Sequence, residues 1–286
     1  MVAASRLETP VTALKDVPEL PGGSAVFGHL EAMQTDPLAL VTRVRDEMGD
    51  VGAVRIGFRR IIVVTDPHAI ERILVENVKN YTKQTRGYAQ LRRMLGNGLV
   101  TSEGSFWLRQ RRIAQPAFHR EKLGGLARIM VRDTDDMLRA VKDGAAFDLN
   151  LEMTRLTMRI IGEALFSVDV SGDTDAAGHA ISELVHQAMT RTINMHAPMF
   201  VPTSLNRRFK SAKRTLDDMV LQLIADRRAG KVVGSGDLMA MLMDVVDEET
   251  GERMNDDQLR DEILTLFAAG HETTSKISPA PLSPSP

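Results

Sequence analysis

An acid and two alcohols, Glu272, Thr273 and Thr274, follow Ala269, Gly270 and His271 at the end of a strongly apolar stretch. On a buried helix such groups are costly unless something uses them, and Gly270 removes the side chain that would keep a small molecule from the backbone. The chemistry that fits is proton delivery to a small ligand such as dioxygen. The same residues also fit a helix end that turns polar on reaching solvent, with Gly270 merely weakening it. A zinc reading starts from His271-Glu272, the opening of a His-Glu-x-x-His pattern, but Ser275 stands where the second histidine belongs.

A second group lies far upstream. Trp107 and Arg111 are four residues apart, so on a helix they share a face, and an indole N–H and a guanidinium converge on one anionic group. Taken alone, Trp107 also fits a core anchor, and Arg109, Arg111 and Arg112 a solvated basic face. Glu152 and Arg155 have the spacing of a surface ion pair along a helix. His119, His186 and His196 are metal-ligand candidates by type only and fit packed or surface histidines better.

The elements that must position these groups are mostly helices. Asp36, Pro37 and Gly49 mark the N-cap, first turn and end of a helix whose apolar face is Leu40, Val41, Val44 and Met48. Two Val- and Ile-rich runs, 51–58 and 60–65, predict a strand pair joined around Arg59-Arg60. A helix through Glu76 follows Asp66-Pro67. Gly96-Asn97-Gly98 then breaks the chain ahead of the helix carrying Trp107. Long periodic segments predict helices at about 125–142, 149–166, 175–194, 205–228 and 237–246. The last helix opens at Asn255, with Gln258 placed to complete a reciprocal cap, and its apolar body is Ile263, Leu264, Leu266, Phe267 and Ala268.

Composition bounds the function classes. The 286 residues are 43% hydrophobic and 26% charged, and 36 basic residues against 38 acidic leave a net charge of −2. A soluble globular protein is expected, with no basic surplus to argue for nucleic acid. No leader pattern and no run of eighteen apolar residues stands in the chain, so no membrane anchor and a cytoplasmic location are expected. Cysteine is absent.

Together these motifs resemble the cytochrome P450 monooxygenases. Ala269-Gly270-His271-Glu272-Thr273-Thr274 is similar to the family's central-helix signature. The run from Gly98 to Gly104, then Trp107-x-x-x-Arg111 and Pro116-Ala117-Phe118, is similar to its C-helix region. Over residues 18–275 the resemblance implies a mainly α, P450-like helical fold with a small early β-sheet, truncated after the central helix. Residues 1–17 would be an N-terminal extension and 276–286 a Ser/Pro-rich, disordered tail, since four prolines in its last eight residues favour extended backbone.

The resemblance also implies a cofactor, haem (heme, iron protoporphyrin IX), and insertion of one oxygen atom from O2 into a small organic substrate. A ferredoxin or flavoprotein would donate electrons, and Arg109, Arg112, Arg120 and Lys122 could form the patch an acidic donor meets. Glu272 and Thr273 would be the acid and alcohol that supply protons, with Thr274 a helper at most. Ala268, Ala269 and Gly270 would lie over the distal haem face, and Trp107 and Arg111 would hold a haem propionate. No metal ligand is implied among these residues. Substrate contacts would come from residues 81–95 and 195–205. The family's later Glu-x-x-Arg and its axial cysteine loop are not found, which implies a premature end, a frameshift or a gene-model artefact, an exposed apolar face, and no monooxygenation by this polypeptide alone. A non-catalytic helical module is the alternative.

Overall fold

The computed structural model describes residues 16–275 except 119, 143–147, 168–173, 195, 232–236 and 248, with side chains at 120–123, 150, 174–175, 272 and 274–275 also undescribed. The Ser/Pro-rich tail and nearly all of the N-terminal extension lie outside the described residues. The chain divides into two compact units, Met1–Thr82 and Lys83–Pro286.

In the first unit a short helix, α1 (Leu30–Thr35), leads into α2 (Pro37–Met48). The Asp36 carboxylate accepts from the Ala39 N–H at 2.9 Å, Pro37 sits in the first turn, and Gly49 leaves the helix at φ 87°. Leu40 and Val44 are buried with Leu20 and Val54. Of the predicted apolar face, Val41 is exposed instead. Strands β1 (Val51–Ile56) and β2 (Arg59–Val64) pair antiparallel from Val51↔Val64 to Ile56↔Arg59. Their turn falls on Gly57 and Phe58 rather than on Arg59-Arg60, because Gly57 takes φ 59°, which disfavours any side chain. The helix after Asp66 is split into α3 (Pro67–Glu71) and a π turn over Arg72–Glu76.

The second unit is helical among its described residues: α4 (Arg86–Leu95), α5 (Gly104–Ala114), α6 (Arg120–Ala140), α7 (Leu149–Phe166), α8 (Thr174–Ile193), α9 (Ser204–Arg228), α10 (Leu238–Asp244) and α11 (Asp256–Ser275). Helix α4 falls within residues 81–95, where no helix is expected from the sequence. Thr85 starts it by accepting from the Tyr88 N–H at 3.3 Å, and Gly96 ends it at φ 79°. The long predicted helices recur, α6 starting five residues earlier than expected and the other four within two residues of their expected ends.

Helix α11 organises this unit. Asn255 and Gln258 exchange side-chain-to-backbone hydrogen bonds of 3.1 and 2.9 Å, the expected reciprocal cap. Leu259, Ile263, Leu264 and Phe267 are buried on it, against α4, α7, α8, α9 and α10. Phe267 meets Phe166 of α7 with ring centroids 6.1 Å apart and planes tilted by 57°. Burying each such side chain contributes about 1.5–3 kcal/mol. Among the described residues no helix is long and apolar enough to cross a membrane.

The connection from α4 to α5 lies directly on α11. The Asn97 N–H donates to Asp261 Oδ2 at 2.6 Å and the Leu99 N–H to Glu262 Oε2 at 3.0 Å. Close approach is possible because residue 98 is glycine: a Cβ there would stand 2.4 Å from Thr265 Oγ1 and 2.7 Å from the Asp261 carbonyl oxygen. Arg92 and Thr101 brace the loop through the Thr101 and Gly96 carbonyls at 2.6 and 2.7 Å. Gly98→Ala is therefore expected to destabilise the chain by about 1–3 kcal/mol in urea unfolding, since α11 backbone cannot give way. Gly124→Ala in α6, where a Cβ meets nothing within 4 Å, is expected to stabilise it by about 0.5–1 kcal/mol.

Candidate active site: the α5 face and the polar end of α11

Helix α5 begins five residues after Leu99, so the loop anchored on α11 sets its place. Trp107 and Arg111 meet as their spacing predicts, the Arg111 guanidinium carbon lying 5.3 Å from the Trp107 ring centroid. Lys83, which no sequence pattern singled out, brings its Nζ to 5.9 Å from the same ring. That ammonium donates to the Val100 and Ser102 carbonyls at 2.9 and 3.2 Å. Burial lowers the Lys83 pKa, opposed by Glu103.

The arginines of α5 fall into two classes. Arg109 pairs with Asp247 and Glu252, and Arg112 with Asp247 and Glu249. Asp247 is buried, and its carboxyl is held below the ordinary range by the Thr250 hydroxyl and then by Arg112 and Arg109, against the effect of burial. These two arginines are thus committed to acids and do not form the free patch expected for an acidic donor. The side chains of Arg120 and Lys122 lie outside the described residues. Arg111 differs: it is exposed, and among the described residues it has no ion pair. Glu152 and Arg155 make the predicted local pair, at 2.9 Å.

The end of α11 does not simply turn toward solvent. His271 is buried, with Nδ1 3.2 Å from Thr157 Oγ1 of α7. The missing side chain of Gly270 serves α7: a Cβ there would stand 2.6 Å from Ile161 Cδ1. Close helix packing is thus a reason for glycine that the ligand-access argument did not contain. Ala269 and Thr273 are exposed, and the Thr273 hydroxyl donates to the Ala269 carbonyl at 2.6 Å. Glu272 is helical, but its side chain, like that of Thr274, lies outside the described residues. Ala268 is buried in the core. Among the described residues no three His, Asp or Glu side chains gather as a metal site. Of the three candidate histidines, His119 lies outside the described residues, His186 is exposed on α8, and the Asn194 carbonyl in its own loop accepts from His196 Nδ1 at 3.2 Å.

Glu262, Leu266, Ala269 and Thr273 recur at i, i+4, i+7 and i+11, so they form one face of α11. Glu262 is 1% exposed, and burial is the main reason its pKa is raised to about 7, opposed by the Leu99 N–H and the neighbouring Gln110 amide. No hydrogen bond of ordinary geometry joins Gln110 to it: Glu262 Oε1 and both amide atoms of Gln110 are buried without partners. Sequence reasoning missed Glu262, because an acid early in a helix looks like a solvated first-turn residue until the loop at 96–99 covers it.

A cavity of about 560 Å³ between α6, α7 and α8 is lined by none of Trp107, Arg111, Ala269 or Thr273 and stands apart from this chemistry. Because the folded pKa of Glu262 exceeds the ordinary 4.5, the stability its proton contributes is complete below about 4.5 and lost as pH rises through about 7. Wild type should therefore lose on the order of 3 kcal/mol relative to Glu262→Gln between about pH 5 and about pH 8 in urea unfolding. Parallel pH profiles for the two chains would contradict this.

The family model for cytochrome P450 matches residues 18–278. Cyclooctatin synthase of Streptomyces melanosporofaciens is 32% identical, over 89% of this chain and 56% of its own length. A cyclooctat-9-en-7-ol 5-monooxygenase of the same organism is 30% identical, over 89% and 55%. Pentalenene oxygenase of Streptomyces avermitilis is 30% identical, over 89% and 56%. The chain thus spans about half the length of these relatives.

Proposed function

The chain belongs to the cytochrome P450 family, and we propose that it forms the distal part of a haem-thiolate monooxygenase, inserting one oxygen atom from O2 into a small organic substrate. The observation that carries this is Arg111, which stacks on the Trp107 ring and has no ion pair among the described residues, while Arg109 and Arg112 on the same helix are both paired. An unpaired guanidinium beside an indole N–H suits a propionate, which Arg binds through two parallel N–H donors. Lys83 adds a second cation at that ring. The residues present therefore fit haem at this face.

Haem with a thiolate ligand supplies the electron donation that promotes O–O cleavage. The chain's own residues would do the rest. Trp107 and Arg111 would bind and orient the propionate. Ala269 would offer a face without bulk, while Gly270 lets α11 pack closely on Ile161 of α7. Thr273, whose hydroxyl is held by the Ala269 carbonyl, would present its oxygen lone pairs and relay a proton that Glu272 supplies. A ferredoxin or flavoprotein would be the electron donor.

These 286 residues include no cysteine, so the thiolate would have to come from outside them. That favours a second reading for the 286 residues alone, a helical module that binds haem without catalysis. Haemin titration followed by Soret absorbance tests both. The expected result is saturable binding, weakened about tenfold or more by Arg111→Ala, the loss of a charged hydrogen-bond pair, and unchanged by Arg155→Ala. The reduced, carbon-monoxide-bound form should lack the thiolate-type band. Equal haemin affinity in wild type and Arg111→Ala would overturn the propionate assignment.

A further inference from the structure

A second cluster of arginines, distant in sequence from Arg111, surrounds a cavity of about 470 Å³ between α4 and the segment that follows α8. Arg86, Arg93 and Arg191 line it with His196, Met199 and Phe200, and among the described residues no Asp or Glu does. Among the described residues none of the three arginines has an ion pair.

Arg191 is the central observation. It is 4% exposed, and buried charges ordinarily require a charged partner. Its partners are neutral: Gln187 Oε1 at 3.3 and 3.1 Å, Asn206 Oδ1 at 2.6 Å, and the Phe209 ring 5.6 Å away. The acid one turn beyond Gln187, Glu183, is engaged by Gln187 and Arg208. Burial, and then the charge of Arg93, pull the Arg191 pKa down.

The donors already in use are few. Arg86 gives Nε to the Arg191 carbonyl at 3.1 Å and Nη2 to the Asn194 carbonyl, which secures the end of α8. Arg93 gives Nη1 to Gln90 Oε1 at 3.1 Å. Among the described residues Arg191 Nη1, Arg93 Nε and Nη2, and Arg86 Nη1 have no hydrogen-bond partner. All three side chains line the cavity. Three like charges held around one cavity repel one another, and an anion placed between them would reverse the sign of that interaction.

We propose that this cavity is an anion subsite that takes an organic carboxylate, its head group on Arg93 and Arg191 and its apolar body along Met199 and Phe200. Arg86 holds the rim through the α8 carbonyls and completes the positive field. That the occupant is the molecule to be oxidised rests on the monooxygenase reading, whereas the anion site does not require it.

The test is isothermal titration of the full chain, without haemin, with octanoate and with 1-octanol as its uncharged match. Octanoate should bind saturably and about tenfold or more tighter than octanol, with the difference shrinking as KCl is raised. Arg93→Gln should erase about tenfold of octanoate affinity and leave octanol unchanged. Arg93 is exposed and bonded only to Gln90, so this variant should keep the wild-type circular dichroism spectrum. Arg93→Glu should abolish octanoate binding. Absence of saturable octanoate binding, equal affinity for acid and alcohol, or an unchanged affinity in Arg93→Gln would each overturn the proposal. Because no haemin is present, failure here is distinguishable from failure of the haem reading.

Discussion

Two backbone amides, those of Asn97 and Leu99, donate to the carboxylates of Asp261 and Glu262, and the geometry of the candidate active site follows from these bonds. They join segments more than 160 residues apart in the chain. The loop they hold leads straight into α5, so Trp107 and Arg111 are placed relative to α11 by its anchor. Glycine at 98 lets the loop backbone rest against α11, and the loop in turn buries Glu262. The result is an acid whose pKa is raised to about 7, set on the face of α11 that also carries Ala269 and Thr273. Stability and site geometry therefore depend on the same few contacts.

The treatment of charge separates structure from function. Asp247 gathers Arg109 and Arg112, and Arg227 pairs with the buried Asp237, whose carboxylate also caps α10 through the Ala240 N–H. These are satisfied ionic contacts that join elements. Arg111 stands outside that pattern, stacked on an aromatic ring and without an ion pair among the described residues. That contrast is what supports the proposal of an external anion at Arg111.

Much of this was legible in the sequence, for physical reasons. Helices with strong caps and sustained periodicity, such as α2 with Asp36 and Gly49 or α11 with Asn255 and Gln258, are encoded locally and were predicted near their observed ends. The Trp107–Arg111 contact follows from helical spacing alone. What was hidden depends on long-range packing. Lys83 belongs to no local pattern and reaches Trp107 only because the chain folds back. Glu262 looks solvated until residues 96–99 cover it, and Gly270 looks like an opening until Ile161 is seen against it. Helix α4 was missed because its ten residues include Gly87 and three arginines, Arg86, Arg92 and Arg93, and its buried apolar residues, Met94 and Leu95, come only at its end. Arg109 and Arg112 read as a free basic patch until Asp247, over 130 residues away, is brought to them.

Trp107 is the single tryptophan of the chain, so its fluorescence reports directly on the central assignment. The decisive measurement is that emission during a haemin titration of the wild-type chain and of Asp261→Ala, which removes one of the two loop anchors. The account predicts saturable quenching of Trp107 in the wild type, and quenching that needs more haemin in the variant because α5 is no longer held against α11. Haemin that binds while Trp107 stays bright would contradict it, since the cofactor would then sit away from the Trp107–Arg111 face.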